Sequence, residues 1–135
     1  MNKLTGSCLC GAVTYKTTGL VLGFNVCHCD MCQKATGGPF GPFVRIKKTD
    51  FQFLTGEDVI QTYSSSPGVT RSFCKTCGST LQWLRDDSDG LGFTAGTLDT
   101  PLDMKPTAQI FCGESQAWHQ LRDDVEQFDL YLGAK

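Results

Sequence analysis

The chain has 135 residues, 40% hydrophobic content and a formal net charge of −2. That length suits one domain over residues 1–135 with its own core, and that hydrophobic content excludes wholesale disorder. The near-balanced charge, with no long run of one sign, excludes a basic tail and gives no long-range pull toward nucleic acid or an anionic membrane.

The opening stretch "MNKLTGSCLCGAVTY" has no apolar core of the kind a secretory signal carries, and no window reaches the apolar length of a membrane span. A cytoplasmic location is therefore expected. Fifteen glycines with scattered Thr, Val and Phe predict many short strands joined by tight turns. "GAVTYKTT" alternates and reads as a strand. One or two helical turns are predicted around 30–36. "FGPFVRIK" is extended, "SSSPG" at 64–68 is a polar turn, and "STLQWLR" alternates. "GLGFTAGT" is extended, "AQIFCG" is a short apolar strand, and a second helical turn or two is predicted near 115–121. The predicted class is mainly β.

Eight cysteines punctuate this pattern: Cys8, Cys10, Cys27, Cys29, Cys32, Cys74, Cys77 and Cys112. In a reducing compartment, such a set points to metal or thiol chemistry rather than disulfides. Seven of the eight fall into C-x-C, C-x-C-x-x-C and C-x-x-C clusters, which suit shared chelation of one ion better than mutual bridging. If residues 8–10 are extended, Cys8 and Cys10 share one face of a strand. Cys74 and Cys77 form a knuckle that Gly78 can close. Two plus two gives a tetrahedral four-sulfur site. The "CHCDMC" triplet has no obvious fourth partner, and three protein ligands with one open position mark a catalytic zinc. A different grouping stays open. Cys29 and Cys32 could join Cys74 and Cys77 in a zinc ribbon, although residues 33–73 exceed the roughly 15–20 residues usual between such pairs. A single zinc with spare thiols and a redox or iron–sulfur site are further alternatives.

"GSCLCGAVTY", "CHCDMCQKATGG", "FCKTCGSTL" and "GTLDTP" occur in one order, over about residues 5–130. In this the chain resembles the glutathione-dependent formaldehyde-activating enzyme family. The resemblance implies small antiparallel sheets in a β-tent arrangement stapled by zinc. It implies two zinc ions, one held by Cys8, Cys10, Cys74 and Cys77 and a catalytic, more labile one by Cys27, Cys29 and Cys32. It also implies carbon–sulfur lyase chemistry: a thiol such as glutathione adds reversibly to formaldehyde, giving an S-hydroxymethyl adduct. The charge balance and the lack of an apolar span, rather than the resemblance, lead us to expect no nucleic-acid or membrane partner.

Other residues have ordinary and functional readings side by side. His28 reads as a neighbour of the ligands or a surface residue rather than a ligand. Cys112 reads as a small buried hydrophobe, His119 as a partly exposed histidine, and Trp118 as a core or rim aromatic. Lys34 and Arg45 could each pair with a glutathione carboxylate or remain solvated cations. Asp30 could orient a ligand, but is expected to cap the helix that follows the triplet. The rival to an enzyme is a non-catalytic zinc-stabilised β module that binds a protein partner.

Overall fold

A computed structural model gives the fold of residues 3–132. Ten strands and one α-helix follow in chain order: β1 (Leu4–Ser7), β2 (Thr14–Thr17), β3 (Gly23–Cys27), α1 (Asp30–Thr36), β4 (Gly41–Lys47), β5 (Phe51–Thr55), β6 (Ile60–Ser66), β7 (Val69–Cys74), β8 (Thr80–Arg85), β9 (Gly90–Thr94) and β10 (Ala108–Ile110). The protein is mainly β. Strands β1, β2 and β5 form a small antiparallel sheet. The larger sheet has the order β10-β3-β4-β9-β8-β7-β6 and is antiparallel except where β10 runs parallel to β3. None of the described helices is long and apolar enough to cross a membrane.

The predicted strands form, with shorter ends. "GLGFTAGT" is a strand only to Thr94, because Ala95–Thr97 tightens into a 3-10 turn that Leu98 N–H closes on the Ala95 carbonyl. "AQIFCG" ends at Ile110. Phe111 takes a left-handed φ of 53°, and Cys112–Glu114 form another 3-10 turn. The "SSSPG" turn shrinks to Pro67 and Gly68, since the three serines pair within or beside β6. Proline presets φ and Gly68 takes a φ of +75°, which a two-residue hairpin of this kind needs. The helix expected near 115–121 is a single turn, His119 N–H to the Gln116 carbonyl. Tertiary bonds outcompete helix propagation here. The Gln109 side chain donates to the carbonyls of Arg122 and Val125 and accepts from the Arg122 N–H.

The large sheet has two distinct faces, and β4 shows why. Successive side chains alternate across a strand. Val44 and Ile46 point into the main core with Phe24, Val26, Leu91 and Phe93, packed against Leu4 and Tyr15 of the small sheet. Phe43 and Arg45 point the other way, into a cleft. Tyr15 organises the core. Its ring stacks on Phe51 at 4.7 Å and meets Phe93 edge-on at 5.5 Å, and its hydroxyl is 2.8 Å from the Thr97 Oγ1.

Gly6 lies directly opposite Tyr15 in the β1–β2 ladder, and the tyrosine ring occupies the space a Cβ would need. Gly6→Ala is expected to cost about 1–3 kcal/mol in urea unfolding, as overpacking does. Gly96→Ala, at an exposed site with nothing within 4 Å of the added carbon, should stay within about 0.5 kcal/mol of the parent. Equal midpoints for the two variants would contradict this packing.

Candidate functional site

Two cysteine groups converge, and each is built into a core cluster. Cys8 sits just past the end of β1. It opens a turn closed by Gly11 N–H on the Cys8 carbonyl, with Gly11 at a φ of +81°. Cys8 and Cys10 thus lie in a turn, not on one strand face as expected. The turn itself brings both sulfurs to one side, and the left-handed Gly11 lets the chain leave it toward β2. Cys74 ends β7, and Gly78, also at +81°, donates to its carbonyl at 2.7 Å. The four sulfurs lie within 4.8 Å of one another, packed with Val13 and Leu81. Cys8 and Cys10 are 3.6 Å apart at sulfur, and Cys10 and Cys74 3.8 Å. Four sulfurs about 2.3 Å from a central ion would be about 3.8 Å apart, so the spacing fits a tetrahedral site. It is far too long for a disulfide. The Ser79 hydroxyl, 3.3 Å from the Cys77 sulfur, helps lower that thiol to about 5, which favours the ligating form.

The second group is Cys27, Cys29 and Cys32, also within 4.8 Å of one another at sulfur. Cys27 ends β3, and Cys29 is the N-cap of α1, its sulfur accepting from the Cys32 N–H at 3.3 Å. Asp30 does not cap the helix as expected, because the preceding cysteine already fills that role. It occupies the first turn instead, 4.0 Å from Lys34, where its charge complements the helix dipole. Gly37, at a φ of 73°, ends the helix by donating to the Gln33 carbonyl. Gln33 ties α1 down, donating to the carbonyls of His28 and Glu114. Gly41 faces Cys27 across the β3–β4 ladder, and a Cβ there would press on Phe43 and on Cys32. The glycine therefore makes room for the returning Cys32. Thiol hydrogen bonds from Cys27 and Cys32 hold Cys29 far below the ordinary thiol range, and the same contacts push Cys27 up. Cys29 and Cys32 do not join Cys74 and Cys77, so the ribbon grouping does not form.

The triplet opens onto a cleft of about 690 Å³. Its floor is the second face of the large sheet. The register places Arg45 opposite Gly92, Gly92 opposite Trp83, and Trp83 opposite Arg71, so these four residues form one row across β4, β9, β8 and β7. All four line the cleft. Arg71, which the sequence reading passed over, is only 3% exposed. Its Nη2 lies 3.5 Å from the Cys32 sulfur, and its Nε donates to the Ser65 hydroxyl at 3.1 Å. The signal available was a charged residue amid Val69, Ser72 and Phe73 in a strand leading into a cysteine knuckle.

The remaining candidates separate clearly. Arg45 lines the cleft, and its guanidinium has no hydrogen bond or ion pair among the described residues. Lys34 is exposed, pairs with Asp30 and does not line the cleft. His28 is neither a member of the thiol group nor on the surface. Because β10 and the Gln116–His119 turn cover it, it is fully buried, 3.3 Å from the Ile110 carbonyl and stacked on His119. His119 is half-buried. Cys112 is buried, and burial pushes its thiol up. Trp118 lies outside the core and the cleft at 69% exposure, because the segment that carries it is a loop rather than a packed helix.

A family model described as glutathione-dependent formaldehyde-activating enzyme matches residues 3–114. The chain belongs to that family. The matched span of the formaldehyde-activating family contains both cysteine groups, Arg45 and Arg71. The chain is 32% identical over 81 residues to an uncharacterized lyase of Schizosaccharomyces pombe, covering 60% of this chain and 57% of that protein. It is 33% identical over 90 residues to a Halomonas elongata protein named for glutathione-dependent formaldehyde activation, covering 62% of this chain and 56% of that one. It thus spans little more than half the length of these two relatives. A crystal structure of a Rhodobacter sphaeroides protein shares the fold, with a TM-score of 0.62 and 21% identity over 73% of this chain and 91% of that one.

All eight cysteines are free thiols. Purified protein, denatured with a chelator and no reductant, is expected to give eight reactive thiols per chain with Ellman's reagent. A count of six or fewer would show a disulfide and contradict the geometry of at least one group.

Proposed function

We propose that the protein is a zinc-dependent carbon–sulfur lyase that forms or cleaves an S-hydroxymethyl or related adduct of glutathione or a similar thiol. The observation that carries this reading is the inequality of the two cysteine groups. Four sulfurs make a closed set, whereas Cys27, Cys29 and Cys32 have no fourth protein ligand among the described residues and open onto a cleft. Closed sets are structural, and sets with a free position are catalytic. On this reading Cys8, Cys10, Cys74 and Cys77 hold one zinc and tie the end of β1 to the β7–β8 turn. Cys27, Cys29 and Cys32 hold the other. The relatives' names, which concern lyase activity and glutathione-dependent formaldehyde activation, support the same chemistry.

Zinc, when bound, supplies Lewis-acid stabilisation of thiolate sulfur and of negative charge developing on a carbonyl oxygen. The chain's own residues do the rest. Phe43, Trp83, Ile110 and Phe111 pack against the three-thiol cluster, and the apolar lining strengthens charge interactions there. Arg45 stands four residues along β4 from Gly41, the partner of Cys27. At about 3.4 Å per residue that is about 14 Å along the strand. Its Nη1 lies beside Gly23, at the end of β3 away from Cys27, so on this reading Arg45 is the anchor for a distal carboxylate of an extended thiol substrate such as glutathione. The reaction is an addition and its reverse: the thiol sulfur bonds to the carbonyl carbon, and the carbonyl oxygen takes up the thiol proton. Nothing is oxidised or reduced. Eight unpaired thiols suit a reducing compartment such as the cytoplasm.

Exchange between glutathione, formaldehyde and their adduct, followed by NMR, should run faster with protein than in buffer. Cys29→Ser should stay folded, keep one of two zinc equivalents and lose the acceleration. Cys74→Ser, at a fully buried position, should unfold the protein or lower its urea midpoint sharply. No acceleration from protein carrying both zinc ions, across several thiols, would leave only a zinc-stabilised binding module. Arg45→Met should raise KM for glutathione about tenfold or more, from a lost charged hydrogen bond of about 1.5–3 kcal/mol. It should leave KM for an uncharged thiol such as 2-mercaptoethanol unchanged. Equal effects on both thiols would remove Arg45 from substrate binding.

A further inference from the structure

We infer that Arg71 is the positioning residue of the three-thiol group. It is the buried counter-charge that lets three cysteine sulfurs and an anionic fourth ligand share one dication. The inference rests on the reading above that the triplet holds a metal ion.

Charge balance sets the problem. Three thiolates around a dication leave a formal −1, and a fourth thiolate leaves −2. At the four-cysteine group that charge meets water, because Cys10 is exposed and Cys77 is half-buried. At the triplet, Cys27 and Cys32 are buried and Cys29 is half-buried, under Phe43 and Trp83. Excess negative charge in such a place is strongly unfavourable without a cation close by.

Arg71 is that cation, and its own surroundings pose the complementary problem. It is 3% exposed, yet it takes part in none of the salt bridges among the described residues. The carboxylates that line the cleft are otherwise engaged. Asp30 faces Lys34, Asp87 binds Arg85 through both oxygens, and the Glu114 Oε1 accepts from the Asp30 N–H. The partners of Arg71 are a serine hydroxyl at Nε and the Cys32 sulfur at Nη2, while Nη1 is buried with no partner. A guanidinium taken out of water with a whole nitrogen unpartnered requires an anion nearby. Among the described residues, the Cys32 sulfur and its two neighbours are the source of one that its contacts provide. Two costly features, a buried cation without a carboxylate and a buried cluster of thiols, thus compensate each other.

The sheet holds the pairing rigidly. Arg71 sits within β7, flanked in register by Tyr63 of β6 and Trp83 of β8, while Ser65 fixes the inner end of its fork. The planar fork reaches Cys32 with Nη2 and leaves Nη1 for the charge of the fourth ligand. A lysine keeps the charge but has neither the fork nor the same reach. The consequence for ligand class is that the free position favours an anionic thiolate over a neutral donor.

Cobalt(II) titration of the metal-free protein tests this, because sulfur-to-cobalt charge-transfer absorption reports each thiol set without any turnover. Wild type should bind two equivalents. Arg71→Met should bind one as wild type does, from the four-cysteine group, and the second 10–100-fold more weakly, the range for loss of a supporting residue. Arg71→Lys should fall between, since charge without the fork restores part of the effect. The intact first equivalent and an unchanged far-UV circular dichroism spectrum report correct folding. The inference is overturned if Arg71→Met binds both equivalents as wild type does. It is overturned if Lys and Met weaken the second equivalent equally, which would assign Arg71 a packing role. It is also overturned if Arg71→Met and Arg71→Lys both lose the two equivalents together, which would make Arg71 a folding element. A wild type that binds only the first equivalent refutes the triplet site itself, and the inference falls with it.

Discussion

Seven sulfur atoms packed in two groups, each within 4.8 Å and none bonded to another, are the constraint around which this small β structure is arranged. Thiols gather so closely in a native protein only when something draws them together. In the four-sulfur group the spacings of 3.6 and 3.8 Å fit a shared tetrahedral ion. The four-sulfur group lies where the end of β1 meets the β7–β8 turn, and so links the small sheet to the large one. The three-sulfur group lies where β3 ends and α1 begins, against the floor of the cleft. Binding energy at sites of this kind is folding energy. Under the proposed function the first group acts on stability and the second on chemistry.

The large sheet presents two different faces. One face of β4 and β9 carries Val44, Ile46, Leu91 and Phe93 and supports the core. The opposite face carries Arg45, Gly92, Trp83 and Arg71 in one row. Placing charged groups on the sheet rather than on loops fixes their spacing by strand geometry, about 4.8 Å from one strand to the next. Gly92 keeps the middle of the row low, since a side chain there would meet Phe43. Core packing and cleft shape are thus consequences of the same registers.

The sequence made the local features legible and the long-range ones much less so. Cysteine clusters were visible because chelating spacing is a property of a few consecutive residues. The helix after the triplet was visible for the same reason, with Cys29, Asp30 and Gly37 at its ends. Two-residue spacing puts Cys8 and Cys10 on a strand face, yet the turn that Gly11 N–H closes on the Cys8 carbonyl reaches the same convergence. The segment near 115–121 kept a single turn because the Gln109 side chain, distant in sequence, claims the backbone groups that follow it. His28 was expected opposite its neighbouring cysteines, and its burial depends on β10 running parallel to β3, a pairing no local pattern announces. Arg71 escaped notice because a charged residue in a short strand ordinarily faces water. Only the seven-stranded register brings it beneath Cys32.

The proposed chemistry requires the sulfurs to divide into a closed set of four and an open set of three. A crystal structure of protein purified without chelator, with anomalous data collected on both sides of the zinc absorption edge, tests it most directly. Two zinc peaks are expected. One should lie among Cys8, Cys10, Cys74 and Cys77. The other should be bound by Cys27, Cys29 and Cys32 with its fourth position filled by solvent or a small thiol. A disulfide within the triplet, or a protein side chain in that fourth position, would contradict it.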